Sequence, residues 1–221
     1  MHGGVEKGNL NISNVAALKD GFANLERHIN NIKNVYNVPV IVAINKFGID
    51  TDEEINTLKD LIKSTGVESQ LSEGFEKGYK GCKDLAKAVI LKCKESSHIK
   101  FAYDLEDNVQ TKIQKIANKI YHATGVEYSE KALDMMKKIN EQGFNDLPVV
   151  IAKTQYSFSD KKELIGAPTD FVINITDLEI RSGAGFIVAI AGNMLLMPGL
   201  SKHSAYENMQ INKTGIVTGL F

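Results

Sequence analysis

The chain has no tryptophan, two cysteines and no excess of either charge. Cys82 and Cys93 have no second pair beside them, so neither a disulfide framework nor a metal knuckle is indicated. With 26 Lys and Arg against 27 Asp and Glu, the chain has none of the concentrated basic faces that nucleic-acid binding needs. These absences predict a protein of a reducing cytoplasm that does not bind nucleic acid.

Long apolar runs are also missing. The longest apolar stretch, residues 185–200, is interrupted by Gly192, Asn193, Pro198 and Gly199, and the N-terminus has no apolar signal core. We therefore expect no membrane partner. The five histidines are scattered, none at metal-ligand spacing, so we expect no metal site.

A phosphate-binding loop is absent as well. A Walker A loop needs Gly-x-x-x-x-Gly-Lys-Ser/Thr, because its glycines let backbone N–H groups approach the phosphates while the lysine and hydroxyl hold phosphate and magnesium. The nearest glycine cluster, residues 74–81, has neither that spacing nor a Lys-Ser/Thr pair. The chain alone is therefore not expected to hydrolyse ATP.

Helices and strands alternate along the first half of the chain. Apolar spacing predicts a helix over residues 13–35, and the β-branched run 38–45 is typical of a parallel strand buried on both faces. Thr51 and Glu54 form a candidate capping box for the next helix. A second strand-loop-helix unit follows over 67–94.

The second half begins in the same way and then becomes richer in strands. Its predicted elements are a strand over 98–105, helices over 109–122 and 129–142, and a strand over 147–153. From Phe171 onward, three apolar runs predict strands near the sheet edge, joined by tight turns at 176–177 and 182–185. The fold class predicted is α/β: a largely parallel open sheet flanked by helices, Rossmann-like, with a β-rich C-terminal part.

Phe47 stands just beyond the end of the strand over 38–45. Ligands of open α/β sheets bind beyond the carboxyl ends of the strands. A large aromatic side chain at that position is less needed for core packing than the apolar residues of the strand itself. We therefore interpret Phe47 as part of a binding site, although it could instead pack against the following helix.

Several phrases, in order, resemble one family over the whole chain: the C-terminal part of formate–tetrahydrofolate ligase. They are Val40–Phe47, Asp104-Leu105, Asp146–Val149, Ala152–Ser157, Ser182–Ile187, Met197–Leu200 and Gly219–Phe221. The resemblance implies that residues 1–30 are a helical lead-in from a preceding domain and that 31–221 form one α/β folate-side domain. Full-length members are more than twice as long, so it also implies that the ATP- and Mg²⁺-binding portion lies outside this chain.

The family joins formate to tetrahydrofolate through formyl phosphate, using ATP. The resemblance implies that the pterin ring of tetrahydrofolate lies between Phe47 and Phe75, although Phe75 is as readily explained without a ligand. Two stacked aromatic pairs would each add about 0.5–1.5 kcal/mol beyond area burial. The remaining site residues implied are Leu71 as an apolar wall, Glu73 as a polar partner, and the N–H groups around Gly78 and Gly81.

This chain departs from the family pattern inside the same segment. Phe75 stands where the family usually has tryptophan, Tyr79 and Cys82 replace glycines, and Gly74 replaces an apolar residue. Ser201 replaces a proline. Weaker folate binding is the expectation.

Three hypotheses follow. The first is a folate-binding portion that is inactive without an N-terminal ligase half. The second is a non-catalytic assembly subunit or a remnant of a split or truncated ligase, with self-association through an exposed former interdomain surface. The third, a free-standing nucleotide hydrolase, is disfavoured by the missing phosphate loop.

Overall fold

A computed structural model describes residues 2–194 and 202–219, and it confirms the α/β class. The first region contains two parallel strands and the helices around them. Its elements are α1 (Val15–Asn30), β1 (Ile41–Asn45), α2 (Asp52–Ser64), β2 (Glu68–Ser72), the short α3 (Gly74–Lys77) and α4 (Lys83–Lys92). The two predicted strand-loop-helix units are therefore present.

α1 and α2 each begin at a side-chain cap, and a hydrogen bond joins the two caps. Asn14 Oδ1 accepts a hydrogen bond from the Ala17 amide, and Thr51 and Glu54 form the expected capping box at the start of α2. The Asn14 amide donates to Glu54 Oε1 at 2.8 Å. This bond lowers the pKa of Glu54 and fixes the start of α1 beside the start of α2.

The second region carries the larger sheet. Its elements are α5 (Val109–Ile116), β3 (Gly125–Tyr128), α6 (Glu130–Glu141), β4 (Val149–Ala152), β5 (Val172–Arg181) and β6 (Phe186–Ala191). The strand order is β3-β5-β6-β4, with an antiparallel β5–β6 pair between two parallel pairs. The strand β3 was not predicted, because four residues between two helical patterns give no clear periodicity.

The strand predicted over 98–105 is wrong. This segment is irregular, with a bend at Ala102 and Tyr103 and no ladder pairing, and it is attached by the Lys100 amide to the Tyr36 carbonyl at 2.9 Å. Farther along, the Tyr103 hydroxyl accepts from the Val149 amide at 2.8 Å and donates to the Val149 carbonyl at 3.0 Å. Because one hydroxyl occupies both backbone groups at this edge of β4, the backbone of 98–105 cannot pair there.

The placement of the C-terminal strands also differs from the prediction. β5 and β6 lie in the middle of the sheet, not at its edge, and β5 continues through the predicted turn at 176–177. Thr176 instead forms a bulge, with its Oγ1 donating to the carbonyls of Ile190 and Gly192 at 3.2 and 3.1 Å. The turn at 182–185 is confirmed.

The helices predicted over 13–35 and 109–122 are confirmed, but each ends in one turn of π-helix. We call these the first π-turn (Asn31–Val35) and the second π-turn (Ala117–Tyr121). The buried Asn31 side chain donates from Nδ2 to the Ile120 carbonyl at 2.9 Å, which joins the two turns. The two regions of the chain therefore meet where two irregular helix ends pack together.

Near the C-terminus, β7 (Gln210–Ile211) and β8 (Val217–Thr218) form a short antiparallel pair. The family phrase at 197–200, Ser201, and residues 220–221 lie outside the described residues. Within the described ranges, no helix is both long enough and apolar enough to cross a membrane. The division of the chain at residue 30 stays a prediction.

Candidate functional site at the carboxyl ends of β1 and β2

The loop after β1 holds Phe47 away from the core. The Lys46 amide donates to the Ser72 carbonyl at 3.0 Å, which continues the pairing of β1 with β2 beyond Asn45. The Phe47 amide then donates to Asp50 Oδ2 at 2.8 Å, while the Asp50 amide donates back to the Phe47 carbonyl at 3.0 Å. This turn leaves the Phe47 side chain 54% exposed.

The segment after β2 presents a second aromatic side chain. α3 is a single turn, and Phe75 within it is 91% exposed. The two loops adjoin, because a Cβ placed on Gly48 would lie 2.7 Å from Glu76 Oε1. Two aromatic rings therefore stand in solvent on neighbouring loops at the carboxyl ends of parallel strands, where ligands of such sheets bind.

The glycines of this segment are required by its backbone. The Glu73 amide donates to the Gly81 carbonyl at 3.1 Å, and a Cβ on Gly81 would lie 2.4 Å from the Glu73 carbonyl oxygen. Gly78 has a φ of +56°, a conformation that residues with a side chain rarely adopt. The chain therefore folds back on itself between Glu73 and Gly81.

A cavity of about 510 Å³ opens beside this fold. Its lining is Lys59, Ser69, Gln70, Leu71, Glu73, Lys77, Lys80, Gly81 and Asp84. Three of the predicted site residues, Leu71, Glu73 and Gly81, are thus brought together. Phe47, Phe75 and Gly78 stand outside this lining. Sequence reasoning missed Lys59 and Lys80, because only the packing of α2 beside the glycine segment gives them a shared cavity.

The charges of the cavity are only partly neutralised. Glu73 Oε1 lies 2.7 Å from Lys77 Nζ, and this pair lowers the pKa of Glu73 and raises that of Lys77. Lys59 and Lys80 form no ion pair with other described residues. Two ammonium groups therefore remain available to an anionic part of a ligand.

Two departures from the family pattern meet in space. A Cβ on Gly74 would lie 2.8 Å from Cys82 Sγ, and that sulfur also lies 3.9 Å from Ser72 Oγ. The thiol of Cys82 thus occupies the space that a side chain at position 74 would need.

Magnesium–ATP does not fit the residues present. No Walker A string occurs in the sequence. Across residues 2–194 and 202–219, no three His, Cys, Asp or Glu side chains are grouped as metal ligands.

The parallel strand pair, the two exposed rings and the lysine-lined cavity together describe a class: an α/β domain with exposed aromatic side chains and a polar cavity at the carboxyl ends of its strands. Comparison with known proteins gives the family. The family model described as formate–tetrahydrofolate ligase matches residues 1–221, and the chain belongs to that family.

Named members of the family match at similar levels. The formate–tetrahydrofolate ligase of Petrotoga mobilis is 47% identical over 99% of this chain and 39% of its own length. The enzyme of Limosilactobacillus reuteri is 48% identical over 100% of this chain and 40% of its own. This chain thus spans about two-fifths of the length of the relatives it matches.

Proposed function

We propose that this chain is the folate-binding portion of a formate–tetrahydrofolate ligase. The observation that carries the proposal is the exposure of Phe47 and Phe75, at 54% and 91%, on adjoining loops beside a lysine-lined cavity. Large aromatics at such exposure contribute little to a core. Their placement is accounted for by a flat ligand that covers them.

Tetrahydrofolate has the two kinds of group that this site would recognise. Its pterin is a flat heteroaromatic ring, which gains burial and stacking energy between two phenyl faces at a small loss of side-chain entropy. Its glutamate tail carries carboxylates, for which Lys59 and Lys80 offer unpaired ammonium groups. Leu71 would supply the apolar wall between these two ends.

In the reaction of the family, the N10 amine of tetrahydrofolate attacks the carbon of formyl phosphate and phosphate leaves. The residues described here would act by positioning, since a fixed amine meets its partner at high effective concentration. We propose that ATP and Mg²⁺ act through an N-terminal ligase portion, and that the chain alone is inactive. With Cys82 and Cys93 both free, we also propose the cytoplasm as its compartment.

The first test is a calorimetric titration with tetrahydrofolate under reducing, anaerobic conditions. We expect saturable binding, weakened about tenfold or more by Phe47→Ala because the variant loses a stacked face and its buried area. Tyr156→Ala is the matched control, since Tyr156 is 47% exposed and lies outside these loops and outside both the cavity beside them and the larger cavity around Tyr121. The proposal fails if there is no saturable binding, or if both variants lower affinity equally.

The lysines are tested by comparing folates with one and three glutamates. Lys80→Gln should weaken binding of the triglutamate more than that of the monoglutamate, because only the longer tail adds carboxylates beside that ammonium group. Lys94→Gln, on the exposed turn after α4, is the control. Equal losses of affinity for both ligands would show that the glutamate tail does not bind in this cavity.

A second candidate function, self-association, rests on α4. Val89, Ile90 and Leu91 are consecutive, and their exposed fractions are 39%, 59% and 63%. Such a patch is typical of a surface that another chain covers. Light scattering over a range of concentrations should show an oligomer that Ile90→Lys dissociates; a monomer at every concentration would exclude this candidate.

A further inference from the structure

A cavity larger than the one beside the glycine segment lies between the two regions of the chain. Its volume is about 750 Å³, within the range of small-molecule sites. Its lining is Tyr36, Phe101, Ala102, Tyr103, Asp104, Leu105, Glu106, Ile116, Ile120, Tyr121 and Pro148–Ile151. Phe101 and Leu105 are 73% and 51% exposed, so the cavity opens to solvent on their side.

Both π-turns contribute a tyrosine to this cavity. Tyr36 directly follows the first π-turn, with its amide donating to the Asn31 carbonyl at 3.0 Å, and Tyr121 is the last residue of the second. π-Helical turns are rare and occur frequently at functional sites, because they redirect side chains at the expense of regular hydrogen bonding. Here two separate helix ends adopt this geometry, and each brings a tyrosine to the same space.

The hydroxyl groups of these tyrosines are available to a ligand. The Tyr103 hydroxyl is fully used by Val149, whereas those of Tyr36 and Tyr121 form no hydrogen bond with any described residue. Neither is a completely buried atom, so a small molecule can reach both. Burial raises the pKa of Tyr121 to about 12, with Tyr36 as the second cause, so both phenols stay protonated at neutral pH.

The charge around the cavity restricts the ligand. No Lys, Arg or His belongs to the lining, and its carboxylates are Asp104 and Glu106. The nearest ammonium groups are used elsewhere: Lys153 Nζ, 4.9 Å from the Tyr121 ring, donates to the Thr154 and Ser157 carbonyls, and Lys119 Nζ donates to the Ala102 carbonyl. Asp104 lies 3.0 Å from Lys115 Nζ, which leaves Glu106 as the unpaired charge. An anionic group would therefore find no ammonium group within the lining and would meet a like charge at Glu106.

We propose that this cavity is a second binding site, for a flat, uncharged heteroaromatic molecule that stacks among Tyr36, Phe101 and Tyr121 and hydrogen-bonds to the two free phenols. It is separate from the folate loops, and it does not depend on folate binding.

The test uses two fluorescent probes that differ by one carboxylate: 7-amino-4-methylcoumarin and its 3-acetic acid derivative. Because the chain has no tryptophan, the probe emission can be followed without interference from indole. The uncharged probe should bind saturably and at least about tenfold more tightly than the anionic one, since a carboxylate would be buried without a partner. Absence of saturable binding, or equal affinity for both probes, would overturn the proposal.

Variants then place the probe in the cavity. Tyr36→Phe and Tyr121→Phe keep the rings and remove the hydroxyls, and each should weaken the uncharged probe about twofold to tenfold. Tyr156→Phe is the control, as Tyr156 is 47% exposed and outside the lining. Equal effects of all three changes would contradict the assignment.

A charge change at the rim tests the electrostatic argument. Leu105→Arg should reverse the preference toward the anionic probe, and because Leu105 is exposed the fold should be kept. Titrating the Phe47→Ala variant with the same probe separates the two sites. If Phe47→Ala lowers the affinity for the coumarin while Tyr36→Phe and Tyr121→Phe do not, the probe binds beside Phe47 and the proposal is overturned.

Discussion

Residues 15–92 and 109–191 are similar in length but bury different amounts of apolar surface. Among the described residues, the first region has a buried cluster of six residues around Ile62, and the second has one of fourteen around Ile173. The first region also exposes Phe47, Phe75 and the aliphatic residues of α4, whereas the central strand β6 of the second region is almost completely buried. The comparison indicates that the second region supplies more of the buried apolar surface, and therefore more of the stability, than the first.

The largest expected effect tests whether the second region contributes more to stability than the first. Leu178, in β5, is 0% exposed, so Leu178→Ala should lower the free energy of unfolding by about 2–5 kcal/mol through lost burial and a cavity. Urea denaturation followed by circular dichroism measures this loss. Leu133→Ala, at a residue 49% exposed on α6, should cost well under half as much. Comparable losses would show that the second region is not the better packed one.

A smaller effect tests how the segment between Gly74 and Cys82 is packed. Gly74→Ala should destabilise the chain by about 1 kcal/mol, because the new Cβ meets Cys82 Sγ and the short side chain can turn away only in part. Adding Cys82→Gly should remove that penalty, which a double-mutant cycle measures. Gly183→Ala has open space around its Cβ and serves as the control. Additive effects at 74 and 82 would mean that the two positions do not compensate each other.

A further effect, dependent on pH, concerns a charge in the second region. Lys153 lies above the Tyr121 ring at 4.9 Å and donates to the carbonyls of Thr154 and Ser157. Burial lowers the pKa of Lys153 from 10.5 to about 8. Between these values the unfolded chain binds more protons at this lysine, so its contribution to stability rises with pH, and below about 8 the full penalty is present.

Comparison with Lys153→Met isolates this contribution. Raising the pH from about 7.5 to about 10 should stabilise the parent chain relative to the variant, since methionine cannot titrate. Denaturation midpoints at both pH values measure the difference, and Lys162→Met, at an exposed lysine, is the control. If the parent and Lys153→Met respond identically to pH, the lysine is not held in a desolvated position.

Much of the first region could be predicted from sequence because its signals are local. The capping box of Thr51 and Glu54, the apolar spacing of α1 and the β-branched run ending at Asn45 each lie within a few residues of the structure they specify. The run forms β1 as predicted, but β1 is not buried on both faces, because it pairs with one strand only and Ile44 alone is buried. The exposed position of Phe47 followed from the end of that strand. The family resemblance then supplied Phe75, which no local pattern distinguishes.

The errors arose where distant groups decide the structure. The segment 98–105 has the composition of a strand, yet the hydroxyl of Tyr103 takes the edge groups of Val149 that a strand would use. Thr176 was interpreted as a turn residue. It lies instead in a bulge, where its hydroxyl donates to the carbonyls of Ile190 and Gly192. Lys59 and Lys80 were missed for the same reason: their cavity exists only once α2 and the glycine segment are packed.

The single hydroxyl of Tyr103 also has a consequence for behaviour at high concentration. An unpaired strand edge is a template for another copy of the chain, and the bond from Tyr103 covers both backbone groups of Val149 at the open side of β4. A chain with phenylalanine at 103 would fold with nearly the same contacts and yet present that amide and carbonyl to its neighbours. During expression and storage, this variant would begin to aggregate at a lower protein concentration than the parent chain.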